Sequence, residues 1–157
     1  MLLQLTKNRD KPHVIKYIRD NGTETWMYSD DFFVIHDLSH YVIEKTLGYT
    51  TAFYGMLNNG MAIQDFEDRE KRNALLITNE ACYAENMANL FLIEIAQGDF
   101  EDFNTVSREA FTTSNQKYPP PVLKDAEIKN IRNYLKQLIL QWKDLPVGNS
   151  LQLTFEN

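Results

Sequence analysis

The chain has 157 residues, of which 43% are hydrophobic and 24% are charged, and its formal net charge is −6. These values are ordinary for a globular protein, so we expect one domain over residues 1–157. The acidic balance argues against a nucleic-acid partner, since phosphate binding requires clustered Lys and Arg. No apolar run is long enough for a signal peptide or a membrane span. The single cysteine, Cys82, leaves no internal disulfide and favours a reducing, cytoplasmic location.

Both ends of the chain predict strands. Residues 2–6, 13–19 and 23–29 are rich in β-branched, aromatic or alternating apolar residues, and so are residues 150–156. Asn21-Gly22 predicts a type I′ hairpin turn between the second and third of these segments. We therefore expect the two ends to meet in one small antiparallel sheet.

The middle of the chain predicts helices. The first covers 31–47, opened by Ser29, Asp30 and Asp31 and closed by Gly48. Further helices are expected over 51–60, 63–72, 79–97, 99–114 and from about Asp125. Asn79 should cap the third of these and Gly98 should end it. The segment "YPPP" at 118–121 separates the last two. The fold class is therefore α+β, with about five or six helices.

The stretch "FFVIHDLSHYVIEKTLG", residues 32–48, carries the main candidate site. At about 100° per residue, His36 and His40 lie on one face of the first helix. That face is otherwise an apolar stripe formed by Phe32, Phe33, Ile43 and Leu47. A second apolar face, with Val34, Leu38 and Tyr41, indicates a central helix packed from both sides. Both histidines should then be largely buried.

Buried imidazoles need partners, because an unpaired polar group costs about 1–3 kcal/mol. Histidines four residues apart can converge on one metal ion, as in HExxH motifs. Here the pattern is HDxxH, and Asp37 could orient a ligand or act as a catalytic base. Glu44 lies about 12 Å along the axis from His36. It could join His40 at an ion or support a ligand from behind, but it could not complete a site with both histidines.

A further ligand must come from another helix. Glu94 interrupts the apolar run "NLFLIEIA" and must therefore be neutral, paired or metal-bound. Glu85 lies on nearly the opposite face and is less surrounded. We predict His36 and His40 as metal ligands, with a carboxylate supplied by Glu94 or Glu44. Zinc is the favoured ion, with iron and manganese as alternatives, and one position stays free for water or substrate.

Two alternatives stay open. The cluster could be a metal-free polar network within a ligand-binding or protein-interaction module, or the chain could be the subunit of a homo-oligomeric scaffold. His13 lies in a predicted strand, and we interpret it as a surface or pairing residue. The leading hypothesis is a metal-dependent hydrolase or lyase that acts on a small molecule.

The HDxxH element resembles the signature of the ubiquinone-biosynthesis family, a mainly helical family that binds zinc. Carried over, the motif matches His36, Asp37 and His40, whereas the family's later glutamate falls on Ala52. Separately, "HDLSHYVIEKTLG" followed by "AFYG" is similar to small uncharacterised bacterial proteins with an HDLxHxxxE stretch. That resemblance implies a shared fold and no particular activity.

Overall fold

The computed structural model describes residues 1–67, 78–113 and 119–156. Within them lie four strands and six helices. The strands are β1 (Leu2–Thr6), β2 (His13–Ile18), β3 (Glu24–Ser29) and β4 (Ser150–Thr154), and the helices are α1 (Asp31–Leu47), α2 (Phe53–Asn58), α3 (Gln64–Glu67), α4 (Asn79–Gln97), α5 (Phe103–Thr113) and α6 (Asp125–Asp144). The predicted α+β class is confirmed.

The four strands form one antiparallel sheet in the order β3-β2-β1-β4. The C-terminal strand pairs with the N-terminal one, with Leu3 opposite Leu153 and Leu5 opposite Leu151. Leu3, Leu5, Ile15 and Tyr17 point from the central strands into the core and are fully buried. The meeting of the two chain ends in one sheet is thereby confirmed.

The loop between β2 and β3 differs from the predicted type I′ turn. Gly22 N–H donates to Arg19 O at 2.9 Å, and Arg19 N–H donates to Thr23 O at 2.9 Å. This pattern is a type I turn followed by a glycine with positive φ, here +81° at Gly22. The hairpin signal was right, but the loop is one residue longer than a type I′ turn allows.

Helix α1 is the central helix, and it contacts α2, α4 and α6. Its buried residues include Val34, Leu38, Tyr41, Val42 and Ile43, as expected of a helix with two apolar faces. The first turn departs from the expected stripe. Phe32 and Phe33 are 60% and 52% exposed, although Val34 in the same turn is fully buried.

Several helix starts differ from the prediction by a few residues. Thr78, and not Asn79, caps α4, since its hydroxyl accepts from Ala81 N–H. Helix α5 begins at Phe103 and not at Asp99, because the Asp102 carboxylate accepts from Thr105 N–H at 3.0 Å and so caps the helix there. Helix α2 is shorter than the predicted 51–60. The predicted helix over 63–72 is present as α3, and its remainder, like Tyr118, lies outside the described residues.

Of the two interpretations of His13, as a surface or a pairing residue, the structure supports the second, since His13 is 8% exposed and lies opposite Ser29 of β3. Its Nδ1 accepts from Asn8 N–H at 3.1 Å, so its Nε2 carries the proton and donates to Asp31 Oδ1 at 3.2 Å. The same carboxylate oxygen accepts from Trp142 Nε1 at 2.9 Å. His13 thus joins the β1–β2 loop to α1, and its ring packs edge-on against Trp142 of α6 with ring centroids 5.0 Å apart.

No helix among the described residues combines the length and the apolar character that crossing a bilayer demands.

Candidate metal centre

Three side chains from two helices converge at the surface between α1 and α4. His36 and His40 project from successive turns of α1, with ring centroids 4.8 Å apart. Glu85 of α4 reaches both rings. Its Oε2 lies 3.0 Å from His40 Nε2, and its Oε1 lies 3.5 Å from His36 Nε2. One ligand atom from each residue lies within 4.8 Å of the other two. We call these three residues the His–Glu cluster.

The His–Glu cluster is buried on the His40 side and open to solvent on the Glu85 side. His40 is 6% exposed, whereas the Glu85 side chain is 56% exposed. Asn89, one turn further along α4, donates from Nδ2 to Glu85 Oε1 at 2.9 Å and steadies the carboxylate. Phe53 covers His40 with its ring centroid 5.9 Å away. An ion between the three donors would therefore have a protein floor and a solvent-facing position.

Glu44 supports the cluster from inside the core. Its side chain is fully buried, and its Oε1 lies 3.3 Å from His40 Nδ1. Its Oε2 accepts from Tyr54 N–H at 2.8 Å. A carboxylate at Nδ1 fixes the ring and keeps the proton there, which leaves the Nε2 lone pair free for a metal. Of the roles open to Glu44 from the sequence, the structure supports holding His40 from behind.

The short helix α2 carries the donors that hold Glu44 in place. The backbone N–H groups of Tyr54 and Gly55 both hydrogen-bond Glu44. Gly55 itself packs directly on the Thr50 carbonyl, which a Cβ atom at position 55 would strike. On the other side, Glu80 accepts from Thr50 N–H and Thr51 N–H and fastens this loop to the start of α4.

The titration of the cluster follows from its burial and charge. Burial by itself would lower the pKa of His40, but hydrogen bonds with Glu44 and Glu85 outweigh burial and raise this pKa to about 9. The hydrogen bonds from His36 and His40 hold the pKa of Glu85 well below its ordinary value. Burial raises the pKa of Glu44, although the His40 interaction opposes it. Without a metal, His40 is thus an imidazolium between two acids.

Asp37, the predicted catalytic base, faces the sheet. Its side chain is 9% exposed, and its Oδ2 accepts from Tyr17 OH at 2.8 Å. Its backbone oxygen accepts from Tyr54 OH at 3.1 Å. Burial raises the pKa of Asp37, partly offset by the Tyr17 hydrogen bond. Asp37 is not among the converging ligand atoms, so the structure gives it a role in joining α1 to β2.

Glu94, the predicted outside ligand, belongs to a different cluster. It is 4% exposed and forms a two-pronged ion pair with Arg132 of α6, with N···O distances of 2.9 and 2.5 Å. It also accepts from Phe100 N–H at 2.8 Å. The sequence argument that this carboxylate needs a partner was right. That partner is a guanidinium, because α4 turns Glu94 towards α6 and away from the histidines.

Glu85 belongs to the His–Glu cluster but was not predicted from the sequence as a ligand. It stands nine residues before Glu94, which at about 100° per residue places the two on opposite faces of α4. Its neighbours Ala84 and Ala88 are fully buried. Small side chains at a helix contact allow the two axes to approach closely. This pair of alanines is the signal that could have pointed to the place where α4 meets α1.

No family model, no curated protein and no solved structure matches this chain. What defines the molecule is therefore its own geometry: an α+β fold with a half-open cluster of two imidazoles and one carboxylate. This donor set is the one that proteins use for non-haem iron, zinc and manganese.

Proposed function

We propose that this protein binds one divalent transition-metal ion through His36 Nε2, His40 Nε2 and a carboxylate oxygen of Glu85. The observation that carries the proposal is the convergence of these three atoms within 4.8 Å of one another. The hydrogen bond between His40 Nδ1 and the Glu44 carboxylate supports the proposal, because a carboxylate that orients a metal-bound histidine is the usual arrangement in metal sites. Zinc is our first choice of ion, with iron and manganese as alternatives.

Three protein donors leave at least one coordination position for water or substrate. A bound ion would lower the pKa of a coordinated water towards neutrality and could polarise a carbonyl or phosphoryl oxygen. The chemistry that fits is metal-dependent hydrolysis or elimination on a small molecule that reaches the surface between α1 and α4. The exposed side of Glu85 supports this access.

A second candidate is a metal-free structural network, as in a non-enzymatic binding or interaction module. The observation that favours it is the position of His40 between Glu44 and Glu85, where both ring nitrogens already have acidic partners. The two candidates differ in their response to metal. A structural network predicts that chelators leave the melting temperature unchanged, whereas a metal site predicts that they lower it.

The test is metal analysis of protein purified without an affinity tag, followed by calorimetric zinc titration of the wild type, His36→Ala and Glu85→Gln. We expect about one ion per chain and a zinc affinity at least about 100-fold weaker in each variant (about 2.7 kcal/mol). Glu109→Gln is the matched control, since Glu109 is an exposed acid of α5. Substoichiometric metal that is unchanged in a His36→Ala, His40→Ala double variant would refute the proposal.

A single cysteine, Cys82, supports a reducing compartment such as the bacterial cytoplasm. We propose a small molecule as the ligand and no nucleic acid, given the net charge of −6. A sizing column would test the homo-oligomer.

A further inference from the structure

A groove of about 540 Å³ opens beside the first turn of α1, between that turn and the β1–β2 loop. Its size falls in the range of small-molecule sites, roughly 300–1,000 Å³. Phe33 and Tyr28 form its apolar side and are 52% and 61% exposed. Arg9 and Lys11 of the loop line the opposite side and are exposed.

The lining of this groove carries more positive than negative charge. Its cations are Lys7, Arg9 and Lys11, against the two exposed carboxylates of Asp30, which also caps α1, and Asp31, which also accepts from His13 and Trp142. Lys7, also in the lining, donates to the last carbonyls of α6 at 2.9 and 2.8 Å. Among the described residues, Arg9 and Lys11 have no hydrogen bond or ion pair. A positive groove on a chain of net charge −6 is a local exception.

Two aromatic rings connect the wall of this groove to the His–Glu cluster. Phe33 contacts Phe32 edge to face, with ring centroids 5.3 Å apart. Phe32 in turn stacks on His36 at 6.5 Å. Phe33 precedes His36 by three residues, which is about 4.5 Å along the helix axis. The open side of the cluster and the groove therefore share one aromatic surface.

We propose that this groove binds the substrate or ligand of the metal site, and that this ligand is an organic anion with an aromatic body. In this arrangement, which rests on the metal-binding function proposed above, the carboxylate of the ligand pairs with Arg9 and Lys11. The flat body lies on Phe33 and Tyr28, and the far end of the molecule approaches the ion. A guanidinium favours carboxylates because it can donate two parallel hydrogen bonds.

The experiment compares 2-naphthoate with its neutral analogue 2-naphthamide by calorimetry on zinc-loaded and EDTA-treated protein. We expect naphthoate to bind more tightly than the amide. Arg9→Glu should weaken naphthoate by about tenfold (about 1.4 kcal/mol) and leave the amide unchanged. Phe33→Ala should weaken both ligands. The charge-matched control Lys129→Glu, on the exposed face of α6, should change neither.

Coupling to the metal is the second readout. Zinc should tighten naphthoate binding by about threefold, and naphthoate should tighten zinc binding by the same factor, because binding free energies are reciprocal. Equal affinity for acid and amide, or no effect of Arg9→Glu, would overturn anion recognition. Identical naphthoate binding with and without zinc would overturn the link to the metal site. The separate zinc titration of His36→Ala reports failure of the metal site itself, so the two failures are distinguishable.

Discussion

Helix α4 carries Glu85 on one face and Glu94 on the opposite face. Glu94 is buried, and its two oxygens are occupied by Arg132 and by the Phe100 amide. Glu85 is half exposed, and its oxygens face two imidazoles from another helix. One carboxylate lies in a closed ion pair, and the other lies in a group of donors that still has an open side.

Burial alone does not mark a carboxylate that can bind a ligand. A buried charge must be paired, and an arginine satisfies that requirement completely without leaving room for a ligand. A functional carboxylate must instead remain reachable, so partial exposure beside polar partners is the more informative sign. We therefore expect changes at Glu94 and changes beside Glu85 to have separate effects.

The largest effect is expected at the buried pair. Glu94→Ala removes the closer partner of an ion pair and should lower the free energy of unfolding by about 3 kcal/mol, the lower end for breaking a buried pair, because Arg132 then keeps only the more distant carboxylate of Asp99 at 3.7 Å. Urea denaturation measures the loss. Zinc affinity should not change, since Glu94 faces α6. A loss below about 1 kcal/mol, or a changed zinc stoichiometry, would contradict the separation of the two sites.

An intermediate effect is expected behind the cluster. Glu44→Gln keeps the shape of the side chain but removes the charge that orients His40, so zinc affinity should fall by about 10–100-fold. Calorimetric titration measures the change, with Glu94→Gln as the control that should bind zinc like the wild type. If the Glu44 variant kept wild-type zinc affinity, His40 would not depend on this carboxylate.

The last effect, comparable in size to the second, is the pH dependence of the metal-free protein. The pKa of His40 is about 9 in the folded state against 6.5 for an ordinary imidazole, so the folded state holds this proton more tightly. The resulting stabilisation is complete below pH 6.5 and is lost as the pH rises through about 9. We expect a loss on the order of 2 kcal/mol across this window in the presence of EDTA.

Thermal unfolding at a series of pH values checks this prediction. His40→Gln should flatten the profile between these pH values, whereas Glu94→Gln should keep it, because the Glu94–Arg132 pair contains no histidine. A wild-type profile that is flat over the same window would show that His40 does not hold an extra proton in the folded protein.

The local part of the site was predictable from the sequence. His36, His40 and Glu44 belong to one helix, so their relative positions follow from its period alone. The strands at both ends were equally readable, because alternation and turn residues are local signals. The helical period did not predict the exposure of Phe32 and Phe33, because it does not say which side of the first turn is covered.

The third member of the cluster was not predictable in this way. The choice between Glu85 and Glu94 depends on which face of α4 meets α1, and both faces of that helix carry apolar residues. Burial near Ala84 and Ala88 on one side, and the guanidinium of Arg132 on the other, settle the orientation. Both are tertiary contacts between segments that are far apart in the chain, so the helical period does not predict them.

Gly55 shows how far the integrity of the site extends beyond its own atoms. A methyl group there would strike the Thr50 carbonyl and displace the turn of α2 whose amides hold Glu44. Position 55 therefore affects the site through the placement of the α2 backbone, without contacting any proposed metal ligand. A mutational screen limited to the residues of the His–Glu cluster would miss the role of Gly55, whereas a screen for metal retention would detect it.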